Sequence, residues 1–300
     1  MKFQSLLLIF ILFISLFFIK VDANKQTNFD ASINVQSIKQ ENEEYLANVL
    51  KPMDFPLTDF FCSDPINAKA ALAKYLDSDQ TTVFEFNSKN HWPIASLTKL
   101  MTSIITVEKI GLKKEIKISD GAASAYGEAG GFRSGEIFKS GDLLKAILLV
   151  SSNDAAEALS ESFGNEEFVD LMNQKAQELA MAETAFFNSS GFSYLTQSTA
   201  DDLFKMISYI YSNEPMIFEI SRQKETEIFD LRTKKSRSLA NINEFAGQPE
   251  FLGGKTGYLE TSGRNLISVF KISNKPVAII ILGAENAFEE ARKILNCLNK

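Results

Sequence analysis

Apolar residues in the middle of the chain recur with helical spacing. After Ser96 they occupy positions i, i+3, i+4, i+7 and i+8, as Leu97, Leu100, Met101, Ile104 and Ile105. This spacing predicts an amphipathic helix with one buried face. Similar patterns predict helices over residues 143–148, 154–159, 168–179 and 203–210, the last after a capping-box-like start at 199–202. The first two of these are separated by a break at 151–153.

Strand-like stretches flank this helical region on both sides. Residues 68–75 and 82–86 predict two strands joined by a turn at 77–79, and residues 227–231, 265–272 and 276–282 predict later strands. A helix over 287–297 follows the last of them. Strands at both ends with helices between them predict a single α+β domain, in which N-terminal and C-terminal strands share an antiparallel sheet around a central helical cluster. We expect this domain to span residues 64–300.

The N-terminal residues indicate export. Residues 5–19 form an uncharged apolar stretch between Lys2 and Lys20, and Val21 and Ala23 place small residues at the −3 and −1 positions of a cleavage site. Residues 1–23 are therefore interpreted as a signal peptide or as an N-terminal membrane anchor. Residues 24–63 are polar and predict a linker. We expect the protein at the outer face of the cytoplasmic membrane, in the periplasm or in the cell wall.

Charge and histidine content exclude several classes of function. The formal net charge of −7 has the wrong sign for a protein that covers phosphates, so nucleic acid is not an expected partner. His91 is the one histidine of the sequence, whereas His₂ or His₃ zinc sites and Ser-His-Asp triads need histidine in fixed places. We therefore expect no metal or other cofactor, and in a hydrolase another residue type must move the protons.

The two cysteines, Cys62 and Cys297, lie near opposite ends of the predicted linker and domain. In an exported protein they could form a disulfide, but two separate buried thiols are the simpler interpretation, and both remain open.

Three short motifs carry the candidate chemistry: Ser96-Leu-Thr-Lys99, Ser151-Ser-Asn153 and Lys255-Thr-Gly257. The S-x-x-K spacing recurs at 221–224 and 268–271. The second of these lies in a predicted strand, where residues three apart point to opposite faces, and the first is followed by polar residues without an apolar face. Ser96 is the serine of this spacing that opens a strongly amphipathic helix.

At i, i+3 spacing on a helix, Lys99 lies within reach of Ser96 and can serve as its general base. A lysine base must be neutral, and burial or a nearby cation lowers the pKa of a lysine. We hypothesise that Lys255 is that cation and also attracts an anionic substrate, while Ser151 relays protons and Asn153 holds the substrate's peptide. The simpler interpretations are a helix N-cap for Ser96 and ordinary loops for the other two motifs.

From about residue 65 onward, these motifs and their surroundings resemble the serine D-alanyl-D-alanine carboxypeptidases, or low-molecular-weight penicillin-binding proteins. The resemblance is carried by residues 93–102, 151–159, 168–173, 198–203, 253–258 and 262–266. It implies a β-lactamase/DD-peptidase-like fold and an enzyme that releases the terminal D-alanine of peptidoglycan stem peptides ending in D-Ala-D-Ala. It also implies acylation by β-lactams and no metal.

The resemblance further implies a role for each residue of the motifs. Ser96 would be the acyl-ester nucleophile, Lys99 the proton acceptor and Ser151 the proton relay. The implied substrate-binding residues are Asn153, Lys255, Thr256, Gly257 and Tyr258. Of these, Lys255 and Thr256 would bind the terminal carboxylate, and the backbone N–H groups of Ser96 and Tyr258 would form the oxyanion hole.

Three other functions are weighed against this one. The first is an endopeptidase of the same family. Residues 282–289 look shorter than in some relatives and lack the arginine that binds the substrate carboxylate there. Arg264 is the candidate to replace that arginine. The second is a β-lactamase, although the class A pattern has Asp where Ser152 stands. The third is a non-catalytic wall-binding or β-lactam-sensing module, against which the intact motifs argue.

Overall fold

The structure is a computed structural model and describes residues 65–127 and 129–298. The expected signal peptide or anchor (1–23) and the linker (24–63) lie outside these residues, as does Cys62. Cys297 is disulfide-bonded. In the part of the chain that is described, no helix has the length and apolarity needed to cross a membrane.

The strands of the described residues build one five-stranded antiparallel sheet and three two-stranded ladders. They are β1 (Ala70–Tyr75), β2 (Thr82–Phe86), β3 (Trp92–Pro93), β4 (Glu115–Lys117), β5 (Ile137–Lys139), β6 (Gln197–Ser198), β7 (Glu225–Asp230), β8 (Lys235–Ala240), β9 (Phe251–Leu259), β10 (Gly263–Ile272) and β11 (Lys275–Ala284). The sheet order is β2-β1-β11-β10-β9, and the ladders are β3-β6, β4-β5 and β7-β8. N-terminal and C-terminal strands therefore share one sheet, which confirms the predicted α+β architecture.

The helices lie mainly between the two groups of strands, as predicted. They are α1 (Lys99–Ile105), α2 (Asp120–Ala123), α3 (Ser140–Leu149), α4 (Asn153–Glu161), α5 (Asn165–Glu178), α6 (Ala200–Asn213), α7 (Met216–Ser221) and α8 (Ala287–Leu298). Thr199 caps α6 by accepting a hydrogen bond from the Asp202 amide at 3.1 Å, as the capping pattern predicted. The predicted break between α3 and α4 is present, and Ser152 caps α4.

The central strands are buried on both faces, which explains their nearly continuous apolar sequence. The face toward the helical cluster carries Ile267, Val269, Ala278, Ile280 and Leu282. The opposite face packs with α8 through Leu266, Phe270, Val277, Ile279 and Ile281. The sheet is thus the middle layer of the domain, with β9 at its edge.

The start of the helix at Ser96 was predicted wrongly. The helix expected to open at Ser96 begins as a 3₁₀ turn (Ala95–Thr98), and the regular helix starts at Lys99. The side chain of Ser96 makes no capping hydrogen bond there, so the simple N-cap interpretation does not hold. Ser221 ends α7, and no helix continues through the polar residues 222–224, as predicted. Its hydroxyl accepts a hydrogen bond from the Gly254 amide at 3.0 Å.

The sequence predicted half of the β7-β8 hairpin. Strand 227–231 was expected, and the structure shows β7 at Glu225–Asp230, paired along its length with β8. The sequence of β8 is Lys-Ser-Arg-Ser-Leu-Ala, which lacks the alternation of apolar and polar residues that reveals a half-buried strand.

The cap of α6 yields a stability prediction. Replacing Thr199→Ala leaves the Asp202 amide without its side-chain acceptor and should lower the free energy of unfolding by about 1 kcal/mol. Urea-induced unfolding measures this change, and Thr199→Ser, which keeps the hydroxyl, is the matched control. Equal losses in the two variants would contradict a capping role.

Candidate active site

Ser96 and Lys99 meet at the start of α1. The 3₁₀ turn that carries Ser96 runs directly into the helix, and the Nζ atom of Lys99 lies 2.9 Å from the Oγ atom of Ser96. Ser96 is half-buried, whereas Lys99 is fully buried. The structure therefore brings together the two residues that the S-x-x-K spacing predicted.

Two further oxygen atoms hold the amine of Lys99. Its Nζ atom lies 2.7 Å from Asn153 Oδ1 and 2.7 Å from the carbonyl oxygen of Ser190. The amide group of Asn153 is oriented by its second contact, because Nδ2 donates to the Tyr126 carbonyl at 2.6 Å. Asn153 therefore presents an oxygen, which can only accept, to the lysine.

The three oxygens around Lys99 can serve either protonation state of its amine. An ammonium group would donate to all three, whereas a neutral amine has two N–H donors and one lone pair, and the oxygens of Asn153 and Ser190 accept but cannot donate. In the neutral form, with both N–H groups directed to those oxygens, the lone pair of Lys99 would face the hydroxyl of Ser96. This arrangement suits a base that takes a proton from Ser96.

The charge environment favours the same neutral form. Burial lowers the pKa of Lys99 well below its usual value, the nearby charge of Lys255 lowers it further, and the carboxylate of Asp154 acts in the opposite direction. Lys255 thus has the electrostatic effect that the sequence hypothesis assigned to it, although desolvation is the larger cause.

Lys255 holds Ser151 on the other side of the site. Its Nζ atom donates to Ser151 Oγ at 2.9 Å and to the carbonyl oxygen of Thr256 at 2.8 Å. The side chain is buried, and desolvation lowers its pKa to about 7. Ser151 adopts a left-handed backbone conformation with φ +59°, which ends α3 and starts the turn into α4.

Strand β9 passes close to the backbone of Ser96 because Gly257 has no side chain. A Cβ atom at Gly257 would lie 2.8 Å from the carbonyl oxygen of Ile94 and 3.3 Å from the amide nitrogen of Ser96. Thr256 is half-buried next to it, and Tyr258 is exposed. The guanidinium of Arg264, on the paired strand β10, lies 5.4 Å from the ring centre of Tyr258.

The segment 189–191 completes the site and was not predicted. The hydroxyl of Thr102 donates to the Ser189 carbonyl at 2.5 Å, and the next carbonyl, that of Ser190, binds Lys99. Gly191 then lies so close to Ala95 that an added Cβ atom would overlap the Ala95 carbonyl oxygen. Every residue type has a backbone carbonyl, so this contact cannot be recognised from the sequence. The feature that could have indicated the segment was the single glycine after two serines.

His91 and metal ligands play no part in this arrangement. The ring of His91 is exposed and forms a hydrogen bond with Glu183, with Nε2 and Oε2 2.7 Å apart. Among residues 65–127 and 129–298, no three His, Cys, Asp or Glu side chains cluster in a way that could hold a metal.

Comparison with protein families agrees with the motifs. Residues 61–286 match the model of peptidase family S11, described as D-alanyl-D-alanine carboxypeptidase. The chain is 30% identical over 244 residues to D-alanyl-D-alanine carboxypeptidase DacF of Bacillus subtilis, a match that covers 77% of this chain and 61% of the relative. It is 32% identical over 205 residues to a D-alanyl-D-alanine endopeptidase of Haemophilus influenzae, covering 65% and 68% respectively.

Solved structures show the same fold. A point mutant of the Streptomyces K15 DD-transpeptidase superposes with a TM-score of 0.72 at 22% identity, over 78% of this chain and 98% of that one. Penicillin-binding protein D2 of Listeria monocytogenes, in its cefotaxime-bound form, gives a TM-score of 0.67 at 26% identity, over 79% and 99%. These neighbours confirm the predicted β-lactamase/DD-peptidase-like fold.

The buried amine of Lys255 yields a prediction about pH. Between pH 7 and pH 9 this group is protonated in the unfolded chain and largely neutral in the folded protein, so the free energy of unfolding should rise with pH. Lys255→Met removes one such group and should reduce the slope by up to about 1.4 kcal/mol per pH unit.

Urea-induced unfolding at stepped pH measures the slope for each variant. The matched control is Lys271→Met, which removes an exposed lysine of β10 and should keep the slope of the wild type. Identical slopes for the wild type and Lys255→Met would contradict a neutral, desolvated Lys255.

Proposed function

The chain belongs to the D-alanyl-D-alanine carboxypeptidase family of serine peptidases, and from this premise we propose that it removes the terminal D-alanine of peptidoglycan stem peptides. The observation that carries the proposal is the buried amine of Lys99, which lies 2.9 Å from the hydroxyl of Ser96 and whose pKa is lowered by burial. A buried lysine with a lowered pKa beside a serine hydroxyl can take the hydroxyl proton, as nucleophilic catalysis requires.

In the proposed acylation step, the Oγ atom of Ser96 attacks the carbonyl carbon of the penultimate D-alanine, and Lys99 takes the hydroxyl proton. The oxyanion accepts hydrogen bonds from the backbone N–H groups of Ser96 and Tyr258. The C–N bond then breaks, and the leaving amine of D-alanine receives, through the hydroxyl of Ser151, the proton that Lys99 took up, which returns Lys99 to its neutral form. Water hydrolyses the acyl-enzyme and releases the shortened peptide.

Substrate binding is assigned to the residues around Lys255. Its amine and the hydroxyl of Thr256 would bind the terminal carboxylate, and Asn153 would hold the peptide group before the scissile bond. Because the pKa of Lys255 is lowered to about 7, an arriving carboxylate favours its charged form and binds with it as an ion pair. Gly257 keeps β9 close enough for the substrate backbone to lie beside the strand.

A DD-endopeptidase is the second candidate function. It is supported by three of the relatives, since one protein each from Haemophilus influenzae, Escherichia coli and Pseudomonas aeruginosa is named a D-alanyl-D-alanine endopeptidase. The guanidinium of Arg264 lies over Tyr258, where it can contribute to carboxylate binding. This position supports the carboxypeptidase without excluding the endopeptidase.

We further propose that β-lactams acylate Ser96, because they present a reactive amide beside a carboxylate, as the stem peptide does. Since peptidoglycan lies outside the cytoplasmic membrane, we propose an extracytoplasmic location. Residues 1–23 would direct export and, if retained, anchor the protein to the membrane. We expect no nucleic acid partner.

The proposed function predicts two activities that can be measured. The protein should take a covalent label from a fluorescent penicillin, seen after denaturing electrophoresis, and should release free D-alanine from a stem pentapeptide. Ser96→Ala, the control, should lose both activities because the nucleophile is gone. A wild type that neither takes the label nor releases D-alanine would refute the proposal, and release of cross-link fragments without free D-alanine would select the endopeptidase.

The close approach of β9 predicts a second effect on acylation. Gly257→Ala pushes the strand away from the Ser96 amide, so we expect the acylation rate constant to fall on the order of 100-fold. Gly121→Ala is the control, since its backbone does not require glycine and the nearest atom to its added Cβ is Oε1 of Glu161, at 2.9 Å, the end of a side chain that can move. Time courses of penicillin labelling measure both, and equal rates in the two variants would contradict the role given to Gly257.

A further inference from the structure

Arg237, in strand β8 of the β7-β8 hairpin, binds residues 130–136, which lie near the site. The Nη1 atom of this arginine donates to the Gly130 carbonyl at 2.8 Å, and Nη2 donates to Oε1 of Glu136 at 2.7 Å. Oε2 of Glu136 accepts in turn from the Arg133 amide at 2.9 Å. One guanidinium therefore fixes both ends of residues 130–136.

Aromatic rings and backbone bonds reinforce this contact. The guanidinium of Arg237 lies 5.3 Å from the ring centre of Phe132 and 5.6 Å from that of Phe138. At the hairpin turn, the Ile137 amide donates to Asp230 Oδ1 at 3.0 Å, and the Ile137 carbonyl accepts from the Leu231 amide at 2.7 Å. The planar, two-sided fork of arginine suits such a position, which a lysine would fill less well.

Residues 130–136 border the turn that carries Ser151 and Asn153. Gly130 packs toward Val150, the residue before Ser151, since a Cβ atom built on Gly130 would lie 3.6 Å from the Val150 side chain. The chain that follows β8 also reaches the end of α3, because the Ile242 amide donates to the Leu149 carbonyl at 3.1 Å. Both contacts end within two residues of Ser151.

A second contact, made by Tyr126, fixes the amide of Asn153. The Tyr126 carbonyl accepts from Asn153 Nδ2, and this bond sets which atom Asn153 offers to Lys99. The turn at Ser151 is therefore contacted on both sides, by Gly130 at Val150 and by Tyr126 at Asn153.

We propose that Arg237 is a positioning residue for the reaction, which acts through residues 130–136 to hold the Ser151–Asn153 turn in register with Lys99 and Lys255. It contacts neither Ser96 nor Lys99. The inference rests on the proposed function, because its consequence is measured on acylation of Ser96.

Arg237→Gln tests the proposal. It removes the fork and the charge, so the first-order acylation constant at saturating fluorescent penicillin should fall by roughly 10- to 100-fold, measured well below the melting temperature of the variant. Hydrogen exchange followed by mass spectrometry should show faster exchange in the peptides that cover 130–136 and 150–153. Arg237→Lys, which restores the charge but not the fork, should recover part of the rate.

Two further variants separate positioning from general destabilisation. Arg292→Gln removes another arginine that pairs with a glutamate, Glu244, and lies over a phenylalanine ring, and it should leave acylation unchanged even where it lowers the melting temperature. Glu136→Gln should slow acylation, and combined with Arg237→Gln it should add little, because both act on one contact.

The outcomes distinguish this inference from the proposed function. A wild type that takes no penicillin label refutes the proposed function itself. A wild type that is labelled, with Arg237→Gln labelled at the same rate or with no change in exchange at 150–153, overturns the role of Arg237 and leaves the proposed function standing.

Discussion

The amine of Lys99 lies out of contact with water, held by oxygen atoms from three separate parts of the chain. Ser96 belongs to the turn before α1, Asn153 to the start of α4, and Ser190 to the segment after α5. Removing an ammonium group from water is costly, which lowers the pKa of Lys99 and makes acceptors around its N–H groups necessary. The turn at Ser96, the start of α4 and the segment after α5 must therefore lie together around this amine.

The site contains two buried lysines with different tasks. Burial and the charge on Lys255 lower the pKa of Lys99 well below its usual value, while burial lowers the pKa of Lys255 to about 7, so that an anion can charge it. The surroundings of each lysine thus set its pKa. Each also depends on the other, since the charge on Lys255 is one cause of the lowered pKa of Lys99. Substrate binding and base strength are therefore linked through one pair of amines.

The sequence predicted the sheet, most of the helices, and the meeting of Ser96, Lys99 and Asn153, because each rests on a side-chain pattern or a motif. The roles assigned to these residues stay predictions. What it missed has no side-chain pattern: the carbonyl of Ser190 is a backbone group, and the strand around Arg237 is too polar to show alternation. The 3₁₀ turn at Ser96 was mistaken for regular helix because both place apolar residues on one face.

The register of β1 with β11 joins residues about 210 positions apart, as in the pairing of Ala70 with Leu282. Such distant pairing raises the contact order, so the sheet cannot close until nearly the whole chain is available, and folding is expected to be slow. A nascent or unfolded chain would carry Lys99 as an ordinary hydrated ammonium ion. Nucleophilic reactivity at Ser96 would then appear only when the last strands join the first.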